Sequence, residues 1–284
     1  MLYLAIGHVG QDVVPDGYAL GGSVAYAALT ARTCAPAWSI AVITRVHSHL
    51  DLSPLGDMEW VRLPDRATTT FENIYLPSGR VQTLHAVAGP IGPGDVPPHL
   101  RRADIVHLAP IAGEVDSALV DVFDGAWIGV TPQGWLRQWD ASGRVARRAW
   151  AGAESILARS NATVISLDDV GGDWREIECW ASIGRVLVVT QGRAGCTVFD
   201  RGAKVHVPTI AAHEVDSTGA GDIFAAAFFT ELRASGDAVR AARFANCIAG
   251  YSVGRRGLAG APTAGEVRRC RNPLNATSKP TVGI

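Results

Sequence analysis

Residues 216–232 read DSTGAGDIFAAAFFTEL, a glycine turn that runs without a break into a segment apolar on nearly every side. A helix that is apolar all round is a buried helix, so the stretch predicts one that starts inside the protein at Gly219–Asp222. The first amides of a helix have no intrahelical acceptor and the helix dipole is positive there. Such an end attracts an anion, for instance a phosphoryl group in transfer. Small residues at Gly219, Ala220 and Gly221 let that anion reach the backbone. Asp222 puts a carboxylate at the same place. It can take a proton from an incoming hydroxyl while the amides of Gly219, Ala220 and Gly221 stabilise the developing negative charge. Read by itself, the turn also suits a tight loop with Asp222 as an ordinary helix cap.

Upstream of this helix, short apolar or β-branched runs recur at 2–6, 40–43, 104–108, 127–130, 163–166 and 186–190, and they read as buried strands. Helical spacing lies between them at 21–32, 114–123 and 173–183. Alternation of this kind predicts an α/β fold: a three-layer, doubly wound, mostly parallel sheet with helices on both faces. Its ligands belong at the carboxyl ends of the strands. Two segments break the rhythm, about 11–20 and 66–87, the second with a turn at Pro77 to Gly79, and together they predict a small β-lid. Residues 1–270 then form one domain, and 271–284 a frayed tail.

The balance of 26 Lys and Arg against 27 Asp and Glu gives no charge excess to attract nucleic acid or an anionic membrane. Cys34, Cys179, Cys196, Cys247 and Cys270 lack paired spacing and read as reduced thiols. With no basic leader and no apolar span of membrane length, the expected location is the cytoplasm. His47 and His49 lack ligand partners at metal spacing and read as surface histidines, as do His8 and His213. The N-x-S/T triplets at Asn161 and Asn275 carry no weight without secretion.

The stretch DSTGAGDIFAAAF closely resembles the C-terminal signature of ribokinase-like (PfkB) carbohydrate kinases, usually written DTxGAGD, with Ser217 in place of the commoner Thr. Other segments match that family in the order it requires. Leu20–Tyr26, LGGSVAY, resembles its first glycine motif, which implies substrate contact at Gly21, Gly22 and Ser23. Asp12 stands where relatives bind substrate hydroxyls. Thr190, Gly192 and Gly195 in VTQGRAG resemble the T-x-G-x-x-G segment that meets nucleotide phosphates and ribose, and Asn246 and Ala249 match positions facing the adenine. The resemblance implies ATP with Mg²⁺, and Asp216, Thr218 and Gly257 match a monovalent-cation site, so K⁺ is a further expectation. Where relatives carry N-x-x-E to organise magnesium through water, this chain has Ser166-Leu167-Asp168-Asp169. Asp169 keeps a carboxylate one methylene shorter.

Thr131–Arg137, TPQGWLR, follows the strand at 127–130 and belongs in the crevice. Gln133 and Arg137 suit hydroxyl groups, while Trp135 suits either a sugar-ring face or the core. The pairing of LGGSVAY with PQGWLR resembles the branch of plant-type inositol kinases. A sugar or cyclitol is the expected substrate, with a nucleoside as the alternative. By the same family analogy a homodimer could form through the lid. A binding-only relative would not need Asp222. A nicotinamide-dependent dehydrogenase would need GxGxxG after the first strand, and that is absent here.

Overall fold

The computed structural model describes residues 1–76, 79–123 and 125–272. The chain opens with β1 (Leu2–Ile6), β2 (Gly10–Val14), β3 (Gly17–Gly21), α1 (Ser23–Cys34), β4 (Ser39–His47), β5 (Glu59–Asp65), β6 (Thr70–Leu76) and β7 (Gly79–Ala86). It continues through β8 (Ile105–Leu108), β9 (Trp127–Val130), β10 (Arg137–Trp139), β11 (Val145–Arg147), α2 (Ala153–Arg159), β12 (Ala162–Ser166) and α3 (Trp174–Ile183). Then come β13 (Val186–Thr190), β14 (Cys196–Asp200), β15 (Ala203–Val207), α4 (Ala220–Ser235), α5 (Ala238–Ser252) and α6 (Ala264–Arg271).

Nine strands form one sheet in the order β15-β14-β13-β12-β9-β8-β1-β4-β5. The seven strands from β13 to β5 are parallel, and β14 and β15 extend the β13 edge antiparallel. Central strands such as β8 are buried throughout, which is why they read as unbroken apolar runs rather than alternating ones. One face carries a core that includes Trp135, Trp150 and Trp180, and the other is covered by α1, α4 and α5. The α4 helix presses directly on the sheet: a Cβ on Gly129 of β9 would lie 2.7 Å from the Phe229 ring. Phe228 and Phe229 are fully buried. The three-layer α/β architecture expected from the sequence is the one observed.

The two irregular segments meet in a second sheet of order β3-β2-β6-β7. A feature absent from the sequence reading is the β10–β11 hairpin, whose turn reaches that sheet: Leu84 donates its amide to the Gly143 carbonyl at 2.8 Å. The expected turn at Pro77 to Gly79 falls partly outside the described residues, as do Asn275 and nearly all of the expected tail. No helix among the described residues is long and apolar enough to cross a membrane.

Three expectations are corrected. The helical spacing at 114–123 yields only a short 3-10 turn, Ser117–Asp121. Glu114 is drawn away from it, because its buried carboxylate accepts the amides of His8, Ile111 and Ala112. His8 is not a surface residue: it is fully buried, with its ring nitrogens paired to Thr69 Oγ1 at 2.7 Å and the Gly89 carbonyl at 3.0 Å. The five cysteines are not all free thiols, since Cys247 and Cys270 form a disulfide. Packing of α6 on α5 brings together two cysteines 23 residues apart, a proximity that no local spacing reveals.

Candidate active site

Because β1, β8, β9, β12 and β13 are parallel, the segments that follow them emerge along one edge of the sheet. Asp12, Gln133, Arg137, Asp169, Thr190, Gly192 and Gly195 all lie on those segments or on the small sheet beside them. The α4 N-terminus supplies the rest.

Gly219 adopts φ +77°, a left-handed conformation that costs glycine little. It also abuts Tyr26 of α1, which is 2% exposed, so the first glycine motif and the α4 turn pack against each other. Gly221 differs, since a Cβ there would have nothing within 4 Å. Its small size leaves an open approach to the backbone, as an anion cradle requires. The Ala220 amide is already engaged with the Ser217 carbonyl at 3.1 Å. Of the three amides expected to form a cradle, that of Ala220 is the one with a main-chain acceptor among those of the described residues. Asp222 is half-buried in the first turn of α4.

Beneath the site, Tyr3 Oη pairs with His107 Nδ1 at 2.8 Å, and His107 Nε2 pairs with Thr131 Oγ1 at 3.0 Å. Burial pushes His107 down to about 3, so the ring is neutral. Burial likewise drives the Tyr3 hydroxyl well above its usual range, with Cys34 and Asp222 adding to the effect. A neutral, hydrogen-bonded network of this kind holds the start of the Thr131–Arg137 segment in place.

At the start of α1, Gly22 has φ +88°, and a Cβ there would lie 2.5 Å from the His8 carbonyl oxygen. A Cβ on Gly21 would lie 2.7 Å from Asp12 Oδ2. The glycine pair therefore makes room for the β1–β2 turn and for the Asp12 carboxylate, and Ser23, buried, opens α1. Gln133 and Asp169, assigned to different roles from the sequence, are hydrogen-bonded to each other: Gln133 Nε2 donates to Asp169 Oδ1 at 3.3 Å. Asp169 Oδ2 accepts the Ser166 amide at 3.3 Å. Arg137 is largely buried, donating to the Ile111 carbonyl at 3.0 Å and lying 5.4 Å over the Phe71 ring. Trp135 belongs to the core, stacking on Trp150 and donating to the Val115 carbonyl.

Gly192 and Gly195 have φ +54° and +92° in the turn between β13 and β14, and Thr190 donates to the Ile165 carbonyl at 3.4 Å. Asn246 turns its amide nitrogen toward the Val207 and Pro208 carbonyls, at 2.8 and 3.3 Å, and is 5% exposed. That group thus shapes the segment after β15, while Ala249 on the same helix is half-buried. The residues expected at a cation site do come together. Asp216 accepts the Thr218 amide on one oxygen and the Gly257 amide on the other, each at 2.9 Å. Partial burial opposes its ionisation, but the Gly257 and Thr218 hydrogen bonds and Arg256 outweigh that and hold the carboxyl below its ordinary range.

The pfkB family carbohydrate kinase profile matches residues 177–264. An ATP-dependent ribose-1-phosphate kinase from Halopiger xanaduensis is 30% identical over 227 residues, 76% of this chain and 73% of that protein. A pyrophosphate-dependent kinase in the ribokinase family, solved with a pyrophosphate analog and myo-inositol, superposes with a TM-score of 0.79. It is 23% identical and covers 94% of this chain and 99% of its own. Arabidopsis thaliana ribokinase, solved with ribose and ATP, superposes with a TM-score of 0.70 at 15% identity, covering 95% and 98%. With that ribose-1-phosphate kinase matched over nearly three quarters of its length, and with Asp222 and its glycine turn at the start of α4, the chain belongs to the pfkB family of carbohydrate kinases.

Proposed function

We propose that this protein transfers the γ-phosphoryl group of ATP to a hydroxyl of a small sugar or inositol-like cyclitol, in the cytoplasm. The observation that carries the reading is the α4 turn, where Asp222 sits beside the open backbone of Gly221. Asp222 orients the acceptor hydroxyl and takes its proton, and the amides of Gly219 and Gly221 face the charge that develops during transfer. Phosphoryl transfer has a loose transition state, so placement matters more than a strongly basic carboxylate. The sheet β3-β2-β6-β7 serves as the lid that excludes water, which would otherwise consume the donor.

The residues present suit the donor and its metal. Thr190, Gly192 and Gly195 lie on the turn after β13, which is open at Gly192 and suits phosphates there; Asp169 offers a carboxylate for hydrated Mg²⁺, and Asp216 with the backbone at Thr218 and Gly257 offers oxygen ligands for K⁺. Mg²⁺-ATP would supply the transferable group and offset its charge.

Two observations favour second readings within the same chemistry. The pyrophosphate-dependent structural relative makes inorganic pyrophosphate the alternative donor. The ribose-1-phosphate kinase relative, together with Arg137 in the acceptor wall, makes a sugar phosphate the alternative acceptor. The deciding experiment is transfer from ATP or pyrophosphate to a panel of inositols, pentoses, pentose phosphates and nucleosides, with and without Mg²⁺ and K⁺. Transfer to one polyol class from ATP supports the proposal. Transfer from pyrophosphate alone, or to nucleosides alone, replaces it.

A further inference from the structure

The parallel strands of the large sheet have a second edge, opposite the candidate active site. Arg101, Arg102 and Asp104 come just before β8, Trp127 opens β9, and Asn161 comes just before β12. Arg233, in the last turn of α4, joins them. Together these residues line an open cavity of about 550 Å³, a size that suits a small ligand. Asp222 stands in the first turn of α4 and Arg233 in its last, roughly 16 Å apart along the axis at 1.5 Å per residue. The cavity is therefore separate from the catalytic turn.

Arg101, Arg102 and Arg233 are exposed, and among the described residues none of their guanidinium groups has a carboxylate partner. Arg45, Arg240, Arg255 and Arg271, by contrast, are each paired with an acid. Three unmatched positive charges thus surround one hollow in a chain whose net charge is −1. Asp104 is the acidic residue of the lining among the described residues, and its Oδ2 accepts the Leu2 amide at 2.7 Å, which leaves Oδ1 to accept from a ligand. Asn161 Oδ1 accepts the Ile128 amide at 2.8 Å, which leaves its amide nitrogen to donate. The Trp127 ring packs edge-on against Phe229, with centroids 5.5 Å apart, and makes a fixed wall.

We propose that this cavity is a second binding site, for a small polyhydroxylated phosphate ester of the sugar-phosphate kind. Guanidinium groups bind phosphate oxygens with paired, charge-assisted hydrogen bonds. Three arginines less one aspartate leave two positive charges, which the two negative charges of a phosphate monoester balance. Asp104 repels a bare anion but accepts from a hydroxyl, and the Asn161 nitrogen donates to one. The lining thus favours an anion that carries hydroxyls over inorganic phosphate. This binding does not depend on the reaction proposed above and is read without turnover.

The test is titration calorimetry of the full chain with fructose 6-phosphate, inorganic phosphate and fructose at fixed ionic strength. Wild type is expected to bind the ester about tenfold or more tightly than inorganic phosphate, and fructose not at all. Replacing Arg101, Arg102 and Arg233 together by glutamine should weaken the ester by about tenfold or more. Arg233→Gln alone should weaken it several-fold. Asp104→Asn should narrow the gap between ester and inorganic phosphate, a change in preference that a merely structural role would not produce. Added salt should weaken the ester, since the arginines are exposed. Melting temperatures identify a variant that has lost its fold, and if the triple variant has, Arg101→Gln and Arg233→Gln decide separately. No binding of the ester by wild type overturns the inference. Ester binding unchanged in the folded arginine variants also overturns it, since the ester then sits elsewhere. Inorganic phosphate bound as tightly as the ester overturns the assignment of the ligand as a polyhydroxylated ester.

Discussion

The Tyr26 ring lies so close to Gly219 that a methyl group there would sit 2.4 Å from its Cε1 atom, whereas a methyl group on Gly221 would touch nothing within 4 Å. Two glycines of one turn should therefore fail differently. Gly219→Ala meets both the ring and an unfavourable φ of +77°, and should lose about 2–4 kcal/mol of stability along with activity. Gly221→Ala should melt like wild type yet lose about 10²-fold or more in kcat, since its methyl occupies the anion's approach. Thermal melts beside initial rates check both. A Gly221→Ala variant of full activity would show that the phosphoryl group does not approach there.

Asp222→Asn should fold normally and lower kcat by about 10²–10⁴-fold, the range of a general base. KM for the acceptor should change less than kcat. A drop confined to KM would make Asp222 an orienting group and move the base elsewhere.

Asp216 clasps two loops, and its charge should register in stability. Its folded pKa is lowered from 3.8, so its contribution is complete above the unfolded value and disappears as pH falls through the lower, folded value. Asp216→Asn should cost on the order of 1 kcal/mol at neutral pH. The gap to wild type should be full at pH 7 and narrow steadily as the pH is lowered through the folded value, as read from urea melts at pH 7 and at a series of acid pH values. A gap independent of pH would mean that the charge is immaterial.

The Cys247–Cys270 disulfide closes a loop of 23 residues and should contribute roughly 3 kcal/mol by limiting the unfolded chain. Dithiothreitol, or the double replacement by serine, should lower the melting temperature and free the end of α6 first. Thiol titration of the unreduced, unfolded protein should find three reactive groups, corresponding to Cys34, Cys179 and Cys196. Five groups would show that the pair stays reduced.

The large sheet was legible in the sequence because its central strands are buried on both faces and so read as plain apolar runs, as in LYLAI and VLVVT. The buried helix that starts at Ala220 was legible because the run after Gly219 is apolar on nearly every side. The remainder depends on distant packing. Glu114 looked like the start of a helix until three amides from two segments claimed its carboxylate. His8 looked like a loop residue until the 69 and 89 segments closed over it.

The bond from Leu84 to Gly143 gives the small sheet a fastening besides its own chain connections. Gly143 is held to glycine there, since a Cβ would stand 2.3 Å from the Leu84 oxygen. One main-chain hydrogen bond is worth about 1 kcal/mol net, a bias of roughly fivefold in population. Together with the bridge between Thr83 and Arg144, the β10–β11 hairpin thus pins the outer edge of the small sheet at a strand that neighbours in sequence would never reach.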